Sequence, residues 1–576
     1  MTEPSGEPEG RRPAVVREPA PVLYGTPARR APTGPVRVVT AGAALVGPRD
    51  AALRALQLDA AAARLADGDP TLWGEAAVAE ASVRLGWLTL PQTSRDLLPR
   101  LAALRDSLRA EGLDRVVLCG MGGSSLAPEV ICATAGVPLV VLDTTDAGQV
   151  RAALTELDRT VVVVSSKSGS TVETDSQRRI LTAALRDAGL SDHDVALRFV
   201  AVTDPGSDLA ATAEREGWRA TFLADPDVGG RYSALSAFGL VPSGLAGADV
   251  TALLDDAAAA QADLAADDGN PGLELGAALG GCAAAGRDKV VIADGGSGLV
   301  GFGDWAEQLI AESTGKAGRG ILPVVVESWD AAGTKHTATG DTHQVRLGRG
   351  GPNTTTVTGP LGAQFLVWEY AVAVACRVIG VNPFDQPDVE SAKTSTRALL
   401  EGGSDDVVGD PPVLVEGSVE IHADHSVLAS AASLHAVVDY LPDLVPATGY
   451  VAVMAYLDRV ADADAAALRR LLAERTGRPV TFGWGPRFLH STGQLHKGGA
   501  PVGVFVQLTG ATSADDDVDV PGREFTLARL QMAQALGDGR VLAEHGRPVL
   551  RLHLTDRAAG VRQLLDALTP APAGAE

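Results

Sequence analysis

The chain has 576 residues, with 72 acidic and 49 basic side chains, so its formal net charge at pH 7 is −23. A field of that sign repels phosphate backbones and anionic lipid surfaces, which argues against nucleic-acid and membrane partners. Hydrophobic residues make up 45% of the chain and aromatic residues only 4%, which excludes global disorder and favours helix-on-sheet cores of small side chains. The length predicts three or four domains, at about 150 residues each.

The N-terminal segment 1–36 is rich in Pro, Gly, Arg and Glu without periodicity, and it is predicted to be a disordered tail. It contains no apolar stretch typical of a signal peptide, and no run of 18 apolar residues follows it, so we expect a cytoplasmic protein. The four cysteines are scattered without the spacing of metal ligands. The sequence therefore predicts reduced core thiols and no metal site.

Helical spacing of apolar residues characterises segment 37–114, and the pattern then changes to short apolar runs separated by helices. In 115–246 these runs are RVVLCG, PLVVLD, TVVVVSS, LRFVAVTD and ATFLAD. Continuous apolar runs bounded by turns indicate strands that are buried on both faces of a parallel sheet. A second set, KVVIAD, ILPVVVES and HQVRLG, falls in 247–404. Two long helices, predicted at 362–380 and 389–402, complete this second α/β unit.

A linker is predicted where the chain reads EGGSDDVVGDPP, at 401–412. The runs GYVAVMAYL, VTFGW, GVFVQL and VLRLHL follow it, with helices between them. They predict a third α/β unit over 405–576, and the chain shows no short-period repeat.

A hydroxyl-rich turn, SSKSGSTVET at 165–174, follows the strand TVVVVSS and opens a helix. Helix-start amides and nearby hydroxyls form a natural phosphate cradle. An ordinary N-capping turn is the alternative, but five hydroxyls in seven residues exceed what a cap needs. A second turn of this type, CGMGGSSLAPEV at 119–130, contains Ser124 and glycines that allow close backbone approach.

A third glycine cluster, formed by Gly296, Gly298 and Gly301, follows KVVIAD, and Glu327 ends the next strand. This is the outline of a dinucleotide fingerprint, so a nucleotide-dependent oxidoreductase is one rival function. The alternative is a flexible turn in a chain with 65 glycines. The pair His422 and His425 has no third metal ligand, and the acidic run at 515–517 is typical of a solvated loop.

Five segments together resemble the glucose-6-phosphate isomerase family, especially the actinobacterial form related to the isomerase part of transaldolase fusions. These segments are CGMGGSSLAPE, SSKSGSTVET, DVGGRYSALSAFG (227–239), WAEQLIAESTGK (305–316) and GVNPFDQPDVESAK (380–393). The resemblance implies tandem sugar-isomerase domains, each a doubly wound parallel sheet wrapped by helices, with a further C-terminal α/β unit. It also implies reversible isomerisation of glucose 6-phosphate to fructose 6-phosphate through ring opening and a cis-enediol.

The resemblance also implies roles for individual residues. Glu312 matches the proton-transfer base, Arg231 the arginine that stabilises the enediolate, and Lys393 and Gln386 the lysine and glutamine of the FDQ segment. The matched phosphate-binding residues are Ser124, Ser166, Lys167, Ser168 and Thr171. Taken singly, Glu312 and Lys393 also fit solvated surface charges, and Arg231 fits an ion pair with Asp225 or Asp227.

The chain departs from the family at the ring-opening histidine, which normally lies between the base and the lysine. Only His336 and His343 occupy that interval here, in unrelated surroundings. A segment similar to the histidine motif, HSTGQLHKGG, begins at His490, about a hundred residues after the lysine. We therefore predict His490 as the ring-opening histidine, with His496 as the fallback, supplied by the third unit.

The resemblance implies a sugar-phosphate substrate, no cofactor and no metal, and it leaves a homodimer open. A bifunctional isomerase that also accepts mannose 6-phosphate is an alternative within the same enzyme class. A non-catalytic sugar-phosphate sensor is the alternative from another class, because this domain type also serves as a regulatory module.

Overall fold

The computed structural model describes residues 34–333, 340–401, 410–423, 428 and 432–569. The predicted N-terminal tail lies outside the described residues except for its last three positions. His336, His425 and most of the predicted linker also lie outside them.

The N-terminal segment 37–114 precedes the first sheet and is helical except at its start. Its first residues form strand β1 (Arg37–Thr40), which pairs antiparallel with a strand of the second sheet. A helical prediction for 37–40 was wrong because β-branched residues favour a strand where a neighbouring sheet edge is available. The helices are α1 (Ala43–Leu58), α2 (Ala61–Ala66), α3 (Val78–Ala81), α4 (Leu90–Thr93) and α5 (Leu98–Ala110).

The first sheet is parallel throughout and has the order β3-β2-β4-β5-β6. Its strands are β2 (Arg115–Gly120), β3 (Val140–Leu142), β4 (Thr160–Ser165), β5 (Phe199–Thr203) and β6 (Ala220–Leu223). Its helices are α6 (Leu126–Ala135), α7 (Ala147–Ala153), α8 (Val172–Asp187), α9 (Asp192–Ala196), α10 (Asp208–Glu216) and α11 (Ala237–Ala246). Each run of apolar residues that predicted a strand in 115–246 overlaps one of these strands.

The second sheet has the order β1-β10-β9-β7-β8 and is parallel except at β1. Its own strands are β7 (Lys289–Gly295), β8 (Leu322–Val326), β9 (Thr342–Gly348) and β10 (Thr354–Thr358). Its helices are α12 (Val250–Leu264), α13 (Pro271–Ala284), α14 (Phe302–Thr314), α15 (Leu361–Ile379) and α16 (Val389–Glu401). Of the described helices, α15 is the one long and apolar enough to cross a bilayer, and 83% of that apolar stretch is buried inside the protein.

The third sheet has the order β11-β12-β16-β15-β13-β14. Its strands are β11 (Leu414–Glu416), β12 (Val419–Ala423), β13 (Tyr450–Tyr456), β14 (Val480–Trp484), β15 (Gly503–Gly510) and β16 (Val549–Leu554). Its helices are α17 (Leu434–Leu444), α18 (Ala467–Thr476), α19 (Gly493–Gly498), α20 (Leu527–Glu544) and α21 (Arg557–Leu568). The four predicted strands are present and mutually parallel, and the antiparallel pair β11 and β12 extends them at one edge. The prediction of an α/β protein built on parallel sheets is confirmed.

The third unit shares hydrophobic cores with both other sheets. Tyr450 and Phe505 pack in one cluster with Val291 and Val324 of the second sheet. Leu527, at the start of α20, belongs to the cluster that covers one face of the first sheet. Because these contacts are apolar and buried, the third unit is held against the first two within one chain.

Glycines allow a close helix contact in the second unit, between α13 and α15. A Cβ added at Gly276 would lie 2.1 Å from Val374 Cγ2 and 2.6 Å from the carbonyl oxygen of Ala371. We expect Gly276→Ala to lower the free energy of unfolding by about 1–3 kcal/mol, measured by urea denaturation, because the core must shift to admit the methyl group.

The matched control is Gly47→Ala in α1, where the added Cβ meets none of the described atoms within 4 Å. This substitution is expected to change stability by less than about 1 kcal/mol, because the helix-propensity gain of Ala over Gly is opposed by the crowding of a Cβ next to Pro48. A urea midpoint of Gly276→Ala at or above that of the parent would show that α13 and α15 can accommodate the methyl group without a loss of stability.

Candidate active site

Three turns meet at the carboxyl end of β2. A Cβ at Gly122 would lie 2.8 Å from the carbonyl oxygen of His490, and a Cβ at Gly123 would lie 2.0 Å from that of Gly230. The glycine-rich turn that contains Ser124 therefore touches both the turn before Arg231 and the histidine turn. Larger side chains at these two glycines would force the three turns apart.

The hydroxyl-rich loop follows β4 and folds on itself. Ser166 Oγ lies 3.2 Å from Thr171 Oγ1 and accepts a bond from the amide of Gly169, while the hydroxyls of Ser168 and Ser170 lie 2.8 Å apart. Helix α8 begins directly after Thr171, whose side chain makes no capping bond within the described part of the chain. The hydroxyls are therefore not consumed by capping, which was the alternative explanation for them.

Lys167 ties this loop to the segment that precedes Arg231. Its ammonium lies 2.7 Å from Asp204 Oδ2 and donates to the carbonyl oxygens of Pro226 and Val228. Burial raises the pKa of Asp204, although the ammonium works in the opposite direction.

Glu312 and Arg231 face each other beneath the glycine-rich turn. Arg231 Nη1 lies 3.5 Å from Glu312 Oε1, and Glu312 Oε2 accepts a 3.1 Å bond from Gln308, one helical turn earlier on α14. The guanidinium is buried and also donates to Ser313 Oγ and Gln386 Oε1. Its partners thus lie on α14 and the FDQ segment, and the expected ion pair with Asp225 or Asp227 is replaced by one with Glu312.

The structure brings His490 to the same site. Gln308 Nε2, which holds Glu312, also donates to the carbonyl oxygen of His490 at 2.7 Å. The imidazole Nε2 lies 3.1 Å from Oε1 of Glu173, a buried carboxylate just after the hydroxyl-rich loop. Burial favours the neutral form of Glu173, but the charge and hydrogen bond of His490 outweigh it and lower the pKa of the carboxyl group.

The other candidate histidines lie elsewhere. His496 is buried between the rings of Tyr450 and Phe505, and burial lowers its pKa to about 3. His343 lies inside β9, where its Nε2 is 2.8 Å from Thr355 Oγ1, and burial lowers its pKa to about 4. Both rings are neutral at pH 7 and are built into cores, whereas the ring of His490 contacts a carboxylate of the candidate site.

Lys393 lies on α16, and its residue is exposed. Its positive charge is among the causes that lower the pKa of Glu173, so the ammonium lies within electrostatic reach of the histidine–carboxylate pair. The structure therefore brings together the predicted acid–base residues from all three units.

Two arginines of the third unit bind one carboxylate of the first unit, and one of them, Arg487, lies in the histidine turn. Arg487, three residues before His490, and Arg459 each lie 2.8 Å from a carboxylate oxygen of Glu129 on α6. Burial opposes ionisation of Glu129, but the two guanidinium groups outweigh it and hold its pKa below the ordinary value. The turn that carries His490 is thus positioned by buried ion pairs.

The third glycine cluster does not have the features of a pyrophosphate site. Asp294 Oδ1 accepts bonds from the amides of Gly296 and Ser297, at 3.2 and 2.8 Å, and from the hydroxyl of Ser297. These amides are therefore occupied by a carboxylate, which would repel the phosphates of a dinucleotide. The oxidoreductase hypothesis loses its main motif.

Comparisons with known proteins agree with this geometry. Residues 107–270 match the family model described as phosphoglucose isomerase. A glucose-6-phosphate isomerase of Rubrobacter xylanophilus is 30% identical over 390 residues, which cover 55% of this chain and 89% of the relative. The chain belongs to the phosphoglucose isomerase family.

Further relatives support this family. A glucose-6-phosphate isomerase of Symbiobacterium thermophilum is 29% identical over 391 residues, which cover 55% of this chain and 86% of that protein. The crystal structure of a hypothetical protein from Thermus thermophilus matches with a TM-score of 0.53 and 26% identity, over 64% of this chain and all of that one.

Sequence reasoning missed two residues of this candidate site that lie inside recognised segments. Gln308 precedes Glu312 by four residues, so helical periodicity placed both on one face of α14. Glu173 follows Thr171 by two residues in SSKSGSTVET. Neither residue was selected because the partner that reveals its position, His490, lies far away in sequence.

Glu307 on α14 is a half-buried carboxyl group beside the histidine turn. Burial raises its pKa to about 8, Asp304 adds to the shift, and Arg487 and a bond from Ser491 oppose it. The folded state then binds a proton more tightly than the unfolded chain, so stability falls as the pH rises from about 4.5 to about 8. We expect Glu307→Gln to unfold like the parent near pH 5 but to be more stable at pH 9, by on the order of 1–4 kcal/mol.

The measurement is the urea midpoint of parent and variant at several pH values. Glu544→Gln is the control, because Glu544 is exposed at the end of α20, and its midpoint is expected to follow that of the parent throughout. If the urea midpoints of Glu307→Gln and the parent change with pH in parallel, ionisation of Glu307 does not lower the stability of the folded state.

Proposed function

We propose that the protein catalyses the reversible isomerisation of glucose 6-phosphate to fructose 6-phosphate at this site. The observation that carries the proposal is a continuous series of contacts between the hydroxyl-rich loop and the acid–base groups. It runs from Glu173, next to the loop, through His490 and Gln308 to Glu312 and Arg231. A phosphate bound at one end would present the sugar carbons to the groups at the other end.

Phosphate binding is assigned to Ser166, Ser168 and Thr171, the positive end of α8, and Ser124 of the neighbouring turn. Such local donors hold an anion despite the net charge of −23, because hydrogen bonds act at contact distance and the overall field is screened by salt. The phosphate does no chemistry, and its binding energy positions the reacting carbons.

Ring opening is assigned to His490 and Lys393, which move a proton between the ring oxygen and the anomeric hydroxyl group. Glu173 orients the imidazole and stabilises its protonated form through the 3.1 Å contact. Acid–base assistance of this kind typically contributes about 10²–10⁴-fold.

Proton transfer between C2 and C1 is assigned to Glu312. Its carboxylate removes the C2 proton to give the cis-enediolate, a hydroxyl proton moves from O2 to O1, and the same carboxylate returns its proton to C1, which leaves the carbonyl group at C2. Arg231 is fixed by the carbonyl groups of Pro383 and Asp385 as well as by Ser313, so its charge is already aimed when the oxygen becomes negative. Such preorganised charge costs no reorganisation during the reaction.

One coupled assay distinguishes the alternatives. Purified protein is supplied with glucose, mannose or fructose 6-phosphate, and product formation is followed. Turnover of glucose 6-phosphate alone supports the proposal, turnover of mannose 6-phosphate as well supports the bifunctional enzyme, and binding without turnover supports the sensor.

The phosphate loop provides the first kinetic prediction. Changing Ser166, Ser168 and Thr171 together to Ala is expected to raise KM at least ~10-fold, because several anchoring donors are lost at about 1 kcal/mol each. Sulfate should compete with substrate in the parent and much less in the variant. Unchanged KM and unchanged sulfate inhibition would show that the phosphate binds elsewhere.

The base provides the second kinetic prediction. Glu312→Gln keeps the shape of the side chain but cannot accept the C2 proton, so kcat is expected to fall at least ~10²-fold with little change in KM. Steady-state kinetics in both directions measure this, with Glu544→Gln as the charge-matched control. Activity of Glu312→Gln within a few-fold of the parent would remove Glu312 from the mechanism.

A further inference from the structure

We propose that Gln534, on α20 of the third unit, is a positioning residue for ring opening. It keeps the Glu173 carboxylate ionised and in contact with the imidazole of His490. This inference rests on the proposed function and extends it to a residue outside the family segments.

Gln534 is buried and makes two side-chain contacts that fix its amide group. Its Nε2 donates to Glu173 Oε1 at 2.7 Å, the same oxygen that faces His490. Its Oε1 accepts a 2.9 Å bond from the hydroxyl group of Thr145, in the turn after β3. Because Thr145 donates to the amide oxygen, the NH₂ group is directed at Glu173.

A neutral donor at this position has a specific consequence. Glu173 is buried, and a buried carboxylate is stable only if hydrogen bonds or charges compensate for the lost water. Gln534 supplies such a bond without adding a charge that competes with His490. The carboxylate thus stays ionised while the imidazole remains free to exchange a proton with the sugar.

Helix α20, which carries Gln534, also contacts the helix that carries Lys393 and the segment that contains His490. Gly537 packs against Thr396 of α16, the helix that carries Lys393, so closely that an added Cβ would lie 2.9 Å from Thr396 Oγ1. Asp538 forms a buried ion pair at 2.5 Å with Lys497, which follows His490 in the histidine segment. Helix α20 therefore contacts Glu173, the helix that carries Lys393 and the segment that contains His490.

The test uses Gln534→Glu and Gln534→Leu in the full-length protein. A carboxyl group at 534 would lie against Glu173, and two carboxylates this close do not both ionise easily. While the pair retains one proton, the new acid still donates to Glu173 and imitates the amide. When that proton is lost at higher pH, the doubled negative charge holds the proton on the imidazole of His490 and blocks its transfer.

We expect Gln534→Glu to turn over glucose 6-phosphate within about threefold of the parent near pH 6 and at least 10-fold more slowly than the parent by pH 9. Gln534→Leu, which loses both bonds, is expected to be at least 10-fold slower at both pH values. Exchange of solvent deuterium into 5-deoxyfructose 6-phosphate, a ketose that cannot close its ring, should stay within about twofold of the parent in both variants, because it needs Glu312 and no ring opening.

The control is Gln507→Glu, an equally buried substitution in β15, since the amide of Gln507 donates to the carbonyl oxygen of Ala535 and, among the described residues, to no carboxylate. It is expected to show no pH-dependent difference between the cyclic and the open substrate. If Gln534→Leu does not fold, the pH profile of Gln534→Glu carries the test alone.

The outcomes separate the inference from the function on which it rests. A parent protein that neither isomerises glucose 6-phosphate nor exchanges deuterium overturns the proposed function. A parent that does both, together with a Gln534→Glu variant that has the parent's pH profile, overturns only the role of Gln534. Equal losses on the cyclic and the open substrate would show that Gln534 is merely structural.

Discussion

The site depends on the burial of the third unit against the other two. Tyr450 and Phe505 pack with Val291 and Val324, and this apolar contact brings the histidine turn over α14 and next to α8. Without it, Glu173 would lose both of its partners from the third unit, His490 and Gln534. The apolar contact and the polar pair therefore stabilise each other.

Three carboxyl groups at this interface, each largely shielded from solvent, have a specific cation or hydrogen-bond donor. Glu129 has two arginines, Glu173 has His490 and Gln534, and Glu312 has Arg231 and Gln308. Glu307 is the contrast, because its nearest acidic neighbour, Asp304, adds to burial and raises its pKa. The three paired carboxylates position the turns and the acid–base groups. Glu307, whose pKa is raised instead, lies beside the histidine turn.

The change in segment order has a structural consequence for the family's chemistry. His490, the histidine proposed for ring opening, lies in a unit after the lysine motif rather than before it, yet its ring contacts a carboxylate beside the hydroxyl-rich loop. The order of segments along the chain thus matters less than the contacts among the three sheets. A single chain brings together the predicted base, arginine, lysine and histidine.

The sequence by itself predicted the α/β class and most strands of the parallel sheets, because apolar periodicity is a local property, but it did not predict β10. Its short segments, through their likeness to the family, selected Glu312, Arg231 and His490 as candidate site residues. It did not determine that β1 joins the second sheet, since pairing at a sheet edge depends on a strand more than 300 residues away. It left His490 and His496 as alternatives. The structure distinguishes them, because the ring of His496 is buried in a core and the ring of His490 contacts Glu173. Gln534 had no local signal at all, because its role arises from two hydrogen bonds to residues more than 350 positions distant, which only the tertiary structure brings together.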